Sequence, residues 1–297
     1  MRFLFYFLLY PLSLLPLWVL YGIGRLFSFW AQYVIKYRKK VIIDNLTLSF
    51  PEKNKKEINQ ICRNYYRHFA HLFAEMLKML TISRKELYQR YYCSNPELVN
   101  RFYEQGKSVI LLSSHYNNWE WMVLSIAGQF RHHGIGIGKA NSNKGFEKLI
   151  NKARCRYGTE VVFAKGVRST FAHYEQQHIP VAYMMLCDQS PNNIKKSYKT
   201  YFMHQPAGVI FGAEYFAKKY DIPVLYYEVV KVKRGYYRID IELITETPTT
   251  TAYGEITEKY VQLLEQTIHK KPEYWLWSHR RWKRKVTDED IEAQKQG

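Results

Sequence analysis

A chain of 297 residues with 47% hydrophobic content can bury the core of one large α/β domain, and one catalytic domain is the expectation. Its formal charge of +18 implies acidic partners, whether nucleic acid, an anionic membrane, a phosphorylated lipid or an acidic carrier protein, and 26 Tyr with 7 Trp lean toward a lipid interface. The four cysteines, Cys62, Cys93, Cys155 and Cys187, form no Cys-x-x-Cys pair, which argues against a zinc site and against a dense disulfide framework.

The first element is apolar. From Phe3 to Gly24 the chain runs 22 residues without a charge, between Arg2 and Arg25, long enough as a helix to cross a hydrocarbon core. An N-terminal transmembrane helix within residues 1–30 is therefore expected, and an interfacial helix is the alternative because Pro11 and Pro16 bend or interrupt the segment. A cleaved signal peptide fits less well, since no Ala-type cleavage site follows. Arg25, Lys36, Arg38, Lys39 and Lys40 crowd the C-terminal flank, which puts the rest of a single-pass protein on the cytoplasmic side.

Residues 31–104 read as a helical arm. Within it, Asn45 to Tyr92 carries Ile58, Cys62, Tyr65, Tyr66, Phe69, Leu72, Phe73 and Leu77 at three- and four-residue steps, the spacing of a buried helix face. Residues 105–290 change pattern. Strands are predicted at Ser108–Ser114, Ile135–Lys139, Glu160–Ala164, Ile179–Leu186, Ile222–Lys231 and Tyr236–Ile244. Helices fall between them at Asn118–Phe130, Lys144–Tyr157, Arg168–Gln177 and Val209–Tyr220, with a last one at Gly254–His269. This alternation predicts an α/β fold with a mixed, mainly parallel sheet flanked by helices. No Gly-x-Gly-x-x-Gly fingerprint or internal repeat is present, and the polar end from Asp288, including the tail 291–297, is expected to fray.

The sharpest feature is an apolar strand that runs into Ser114-His115-Tyr-Asn-Asn-Trp-Glu120 and then a helix start. Function sits at the carboxyl ends of such strands. On one continuous helix His115 and Glu120 would lie about 140° apart and not meet. With Asn117 or Asn118 as N-cap, His115 stays in the loop and Glu120, in the first turn, reaches back toward the imidazole. A carboxylate on one ring nitrogen makes the other a general base for an alcohol nucleophile. The blander reading is that His115 only caps the strand end. No Ser or Cys stands in an elbow motif, so direct attack by a substrate hydroxyl is expected, without a covalent enzyme intermediate.

That run resembles the His, four residues, acidic signature of glycerolipid-type acyltransferases, and in particular the late acyltransferases of lipid A biosynthesis. Asn45-Leu46-Thr-Leu-Ser-Phe50-Pro51, Cys187-Asp188-Gln189 and Phe216-Ala217-Lys-Lys-Tyr-Asp-Ile222-Pro223-Val224 match the same family, as does Pro272-Glu273-Tyr-Trp275-Leu276-Trp277-Ser-His279-Arg280-Arg281-Trp-Lys283. The likeness covers almost the whole chain. It departs at Tyr201-Phe202-Met203-His204-Gln205, where the family has a Phe-Phe-Gly type run, and at Trp282, where Phe is common.

The resemblance implies an inner-membrane transferase with acyl carrier protein thioester as donor and a phosphorylated glucosamine lipid, a lipid A precursor, as acceptor. Another glycolipid or an aminolipid is the alternative acceptor. His115 and Glu120 are then the catalytic pair, with Asn118, Arg168, Asp188 and Gln189 around the substrate. Arg168 reads either as a charge clamp for oxyanion, donor or phosphate, or as a plain ion pair with Asp188. The Trp275, Trp277, His279, Arg280 and Arg281 cluster reads either as a phosphate site or as packing with a basic rim. No cofactor or metal is expected. Nucleic-acid binding is set aside, because the 44 Lys and Arg are scattered and form no recognised module.

Overall fold

The computed structural model describes residues 5–140 and 143–296; Phe3 and Leu4 of the apolar segment and Gly297 of the tail lie outside the described residues. The strands are β1 (Tyr91–Cys93), β2 (Val109–Ser113), β3 (His133–Gly138), β4 (Glu160–Phe163), β5 (Val181–Leu186), β6 (Ser197–Phe202), β7 (Gln205–Ile210), β8 (Val224–Lys233) and β9 (Tyr236–Thr245). Seven form one sheet in the order β1-β9-β8-β2-β5-β3-β4, and β6 and β7 make a separate hairpin. From β8 to β4 all neighbours are parallel, while β9 runs antiparallel to β8 and carries β1 with it. The mixed, mainly parallel α/β architecture is as the sequence predicts.

The central strand β2 is buried throughout and apolar from Val109 to Leu112, because helices cover both faces. Ile110 and Leu112 join one core layer with Tyr183, Met185 and Tyr226, and Val109 and Leu111 join the other with Ala182, Met184 and Tyr227. This is the period-two alternation of a pleated strand buried on both sides.

The N-terminal segment departs from expectation. Instead of one span, it forms a π-helical turn Phe5–Leu9 that runs into a short helix Tyr10–Leu14, an extended step at Leu15 and Pro16, and a second helix Leu17–Phe29 that continues as Trp30–Val34. Pro16 has no N–H to continue the first helix, so the second starts from it as N-cap. Lys78 on the arm holds the break, donating to the freed carbonyls of Ser13 and Leu15 at 3.2 and 3.1 Å. Among the described residues no helix is long and apolar enough to cross a membrane. The second helix lays Leu17, Leu20 and Tyr21 on the arm and leaves Trp18, Leu26, Phe29 and Trp30 exposed.

The arm is built of four α-helices, Lys39–Ser49, Lys55–Lys78, Arg84–Arg90 and Glu97–Glu104, with β1 between the last two joining the sheet. Pro51 ends the run, and Asn54 restarts it with a capping box in which Asn54 Oδ1 accepts from Glu57 N at 3.1 Å and Glu57 Oε2 accepts from Asn54 N at 2.9 Å. The segment predicted as a helix from Val209 begins as β7, the helix itself spanning Gly212–Tyr220. The polar end does not fray: Asp288–Gln296 is helical, buries Ile291, and clips to the β6 backbone through Gln294, which accepts from Lys199 N at 2.8 Å and donates to Lys199 O at 3.0 Å.

Candidate active site

Two adjacent parallel strands end at the same edge and deliver the site. Ser113 of β2 is in register with Leu186 of β5, so two residues further along each chain His115 comes opposite Asp188. Beyond Asn117, held at φ 52°, Asn118 caps helix Trp119–Gln129 by accepting from Trp121 N at 3.0 Å.

The imidazole's partner is Asp188. His115 Nδ1 lies 2.8 Å from Asp188 Oδ1, and the His115 backbone N–H donates to Oδ2 at 3.1 Å. Trp275 Nε1–H donates to Oδ2 at 2.9 Å. Asp188 is only 2% exposed. Burial pushes its carboxyl up, but the charge and hydrogen bonds of His115, with the Trp275 N–H, outweigh that and hold it below the ordinary aspartate value. The ring is further fixed by the edge of Trp119, centroids 5.1 Å apart. With Nδ1–H given to the carboxylate, Nε2 is the basic atom, and in this resting arrangement Gln189 Nε2 donates to it at 3.2 Å.

The expected pairing of His115 with Glu120 is corrected by this geometry. Glu120 instead takes a two-pronged ion pair from Arg154, Nη2 to Oε1 at 2.6 Å and Nε to Oε2 at 2.8 Å, and accepts from Trp119 Nε1 at 3.2 Å. Asn118 is the N-cap as read, but Glu120 in the first helical turn is held by Arg154 at the end of helix Lys144–Arg154. Among the described residues no hydrogen bond joins His115 and Glu120.

Arg168 is also placed differently. It is exposed at the start of helix Val167–Gln176, after the edge strand β4, and no ion pair with Asp188 forms among the described residues. The buried cation that feels Asp188 is Arg281: burial pushes its guanidinium down to about 10 while the Asp188 charge pulls the other way. Its Nη2 donates to Gly208 O at 2.8 Å.

Asn118, a candidate for substrate contact, is tied inward. Its amide donates to Glu75 Oε2 at 2.7 Å. Glu75 lies fully buried on the arm helix Lys55–Lys78, where it also accepts from Tyr21 and Tyr237 hydroxyls at 2.7 and 2.8 Å; burial raises its carboxyl above the ordinary value. One carboxylate thus joins the N-terminal helix, the sheet and the site loop. It was missed in the sequence, although an acid at the buried helix spacing of residues 58–77 was its signal. Arg154 and Glu75 have no short-range motif linking them to residues 115–120.

A cleft of about 300 Å³ opens beside the site. Phe69, Leu72, Phe73 and Met76 of the arm form one wall; Asn117 to Glu120, Leu276, Ser278 and His279 form the other, with Tyr37 and Arg38. Asn45 locks the second wall, donating to Trp277 O and His279 O, both at 2.9 Å. The aromatic lining continues outward, with Phe73 stacked on Phe27 at 5.3 Å and Phe69 on Tyr37 at 6.2 Å. Among the described residues no group of three His, Cys, Asp or Glu is placed to hold a metal.

A family model described as bacterial lipid A biosynthesis acyltransferase matches residues 1–284. The chain belongs to that family. Lipid A acyltransferases are transferases that act on a glycolipid, and the match covers both the strand-end histidine and the apolar cleft of this one. No curated protein matched the chain.

Proposed function

We propose that this acyltransferase moves a fatty acyl chain from acyl carrier protein thioester to a hydroxyl of a lipid A precursor, with His115 as general base and Asp188 as the carboxylate that orients it. The observation that carries this reading is the His115 Nδ1 to Asp188 Oδ1 contact of 2.8 Å, which leaves Nε2 as the basic atom beside an apolar cleft. The acceptor hydroxyl displaces the Gln189 amide from Nε2 and gives up its proton there as its oxygen bonds to the thioester carbonyl carbon. Asp188 stabilises the imidazolium that results. The tetrahedral adduct then breaks its carbon–sulfur bond, and the Nε2 proton leaves on the thiolate.

The acyl chain occupies the cleft between Phe69, Leu72, Phe73 and Met76 and the site loop, whose walls are apolar. The exposed Trp18, Leu26, Phe29 and Trp30 seat the N-terminal helix in the interface of the inner membrane, on its cytoplasmic face, where Phe27 on Phe73 leads from lipid to cleft. An interfacial seat replaces the single span. The charge of +18 draws both the acidic carrier and the phosphorylated acceptor. Arg38 is the cation nearest for either, lining the cleft while its Nη1 donates to Ser278 O at 2.9 Å.

The test is mass spectrometry of products from purified full-length protein given acylated acyl carrier protein and a phosphorylated glucosamine disaccharide lipid. Addition of one acyl mass to the lipid supports the reading. No addition, or equal transfer from acyl coenzyme A without salt sensitivity, sinks the carrier assignment.

A further inference from the structure

A second imidazole hangs on the same turn as the first. Asp188 and Gln189 hold His115, and the next residue, Ser190, donates its backbone N–H to Nε2 of His279 at 3.1 Å. An acceptor at Nε2 fixes the tautomer: the ring proton of His279 sits on Nδ1. Burial, opposed by Asp188 and reinforced by the charges of His115, Lys283 and Arg281, lowers this imidazole to about 4, so it is neutral near pH 7. The backbone is equally fixed, with His279 N donating to Leu276 O at 3.1 Å and His279 O accepting from Asn45.

His279 lines the cleft, and its Nδ1–H is not buried and has no partner among the described residues. Each of the other side-chain N–H donors of the site loop already holds one partner in the resting arrangement. Asn117 donates to Val229 O at 2.6 Å, Asn118 to Glu75 and Trp119 to Glu120, while Gln189 donates to His115 until the acceptor hydroxyl displaces it. Arg154 is spent on Glu120. Tyr37 and Ser278 offer only hydroxyls, which rotate. His279 therefore offers the cleft a ring N–H of fixed direction that is neutral and has no partner among the described residues.

Attack on a thioester places negative charge on the carbonyl oxygen while His115 becomes a cation. A donor that stabilises that oxygen without repelling the imidazolium must be neutral and already oriented. We propose that His279 Nδ1–H is the hydrogen-bond donor to the thioester carbonyl oxygen as it takes up negative charge, with Ser190 N–H setting the ring's orientation. This rests on the acyl-transfer reading above, and it makes the terminal His279 a catalytic residue alongside the His115 pair.

Two substitutions separate this role from simple anchoring of the turn. In His279→Asn the amide nitrogen replaces Nδ1 and keeps the donor, but the acceptor for Ser190 is lost; in His279→Gln the amide oxygen replaces Nε2 and keeps the anchor, but the donor is lost. Both are assayed as full-length protein with acylated acyl carrier protein and the phosphorylated glucosamine disaccharide lipid, alongside thermal melts. The expected result is a fall in kcat of about 10²–10³ for His279→Gln at little change in KM, and a fall of less than about tenfold for His279→Asn. His279→Gln within about tenfold of wild type, or His279→Asn as slow as His279→Gln, overturns the proposal. If the wild-type protein transfers no acyl group, the acyl-transfer reading fails first and this one with it; if wild type is active and only the Asn and Gln order is wrong, the reading stands and the donor does not.

Discussion

The turn after β5 and the first turn of helix Trp119–Gln129 each present a carboxylate near His115, and they treat it in opposite ways. Asp188 is enclosed, with His115 and Trp275 as its donors and Arg281 behind it, so its charge is directed at the imidazole. Glu120, only five residues from His115 in sequence, spends its charge on Arg154, thirty-four residues downstream. Burial pulls the Arg154 guanidinium down, but Glu120 more than reverses that and holds it above the ordinary arginine value. The lesson is that a parallel sheet pairs chemistry across strands in register, and closeness along the chain counts for less.

The largest expected effect is at the imidazole itself. His115→Ala should lower kcat by on the order of 10²–10⁴ in the purified transfer assay, with a melting temperature near that of wild type. Near-normal turnover would reduce His115 to a strand-end cap.

Breaking the Glu120 side should act on stability more than on chemistry. Arg154→Ala leaves Glu120 mostly buried without its cation, and because Arg154 is itself partly exposed the loss should be about 1–3 kcal/mol, read as a lower melting temperature with kcat within about tenfold. A collapse of kcat at unchanged stability would instead place the Arg154 and Glu120 pair in the reaction itself.

The smallest effect is expected far from both carboxylates, at the exposed aromatic face of the N-terminal helix. Trp18→Ser with Trp30→Ser should weaken binding to vesicles containing anionic phospholipid by about tenfold or more while leaving the melting temperature unchanged. Binding equal to wild type would move the membrane contact elsewhere.

Much of this was legible. Strands β2, β3, β4, β5, β8 and β9 were predicted because each is a short apolar or β-branched run, and the Asn118 cap because an amide precedes an apolar helix start. The three missed strands lack that signal: β1 has three residues, and β6 and β7 carry Lys199, Gln205 and Pro206 in a hairpin outside the main sheet. The apolar count was right for the N-terminal segment, but Pro16, with Lys78 holding the freed Ser13 and Leu15 carbonyls, breaks the expected span. Residue types for the site were readable; who pairs with whom was not. The register of Ser113 with Leu186 brings Asp188 to His115, and register is a property of the assembled sheet.

The central claim is that Asp188 is the carboxylate that makes His115 a base. It is tested most directly by measuring kcat and KM for Asp188→Asn and Glu120→Gln side by side, in full-length protein with one donor and one acceptor. Asn keeps the shape but loses the charge that fixes Nδ1–H, so Asp188→Asn should lower kcat by on the order of 10²–10⁴, while Glu120→Gln should act mainly on stability and keep kcat within about tenfold. Asp188→Asn with near wild-type kcat, beside an inactive Glu120→Gln that still folds, would contradict the account.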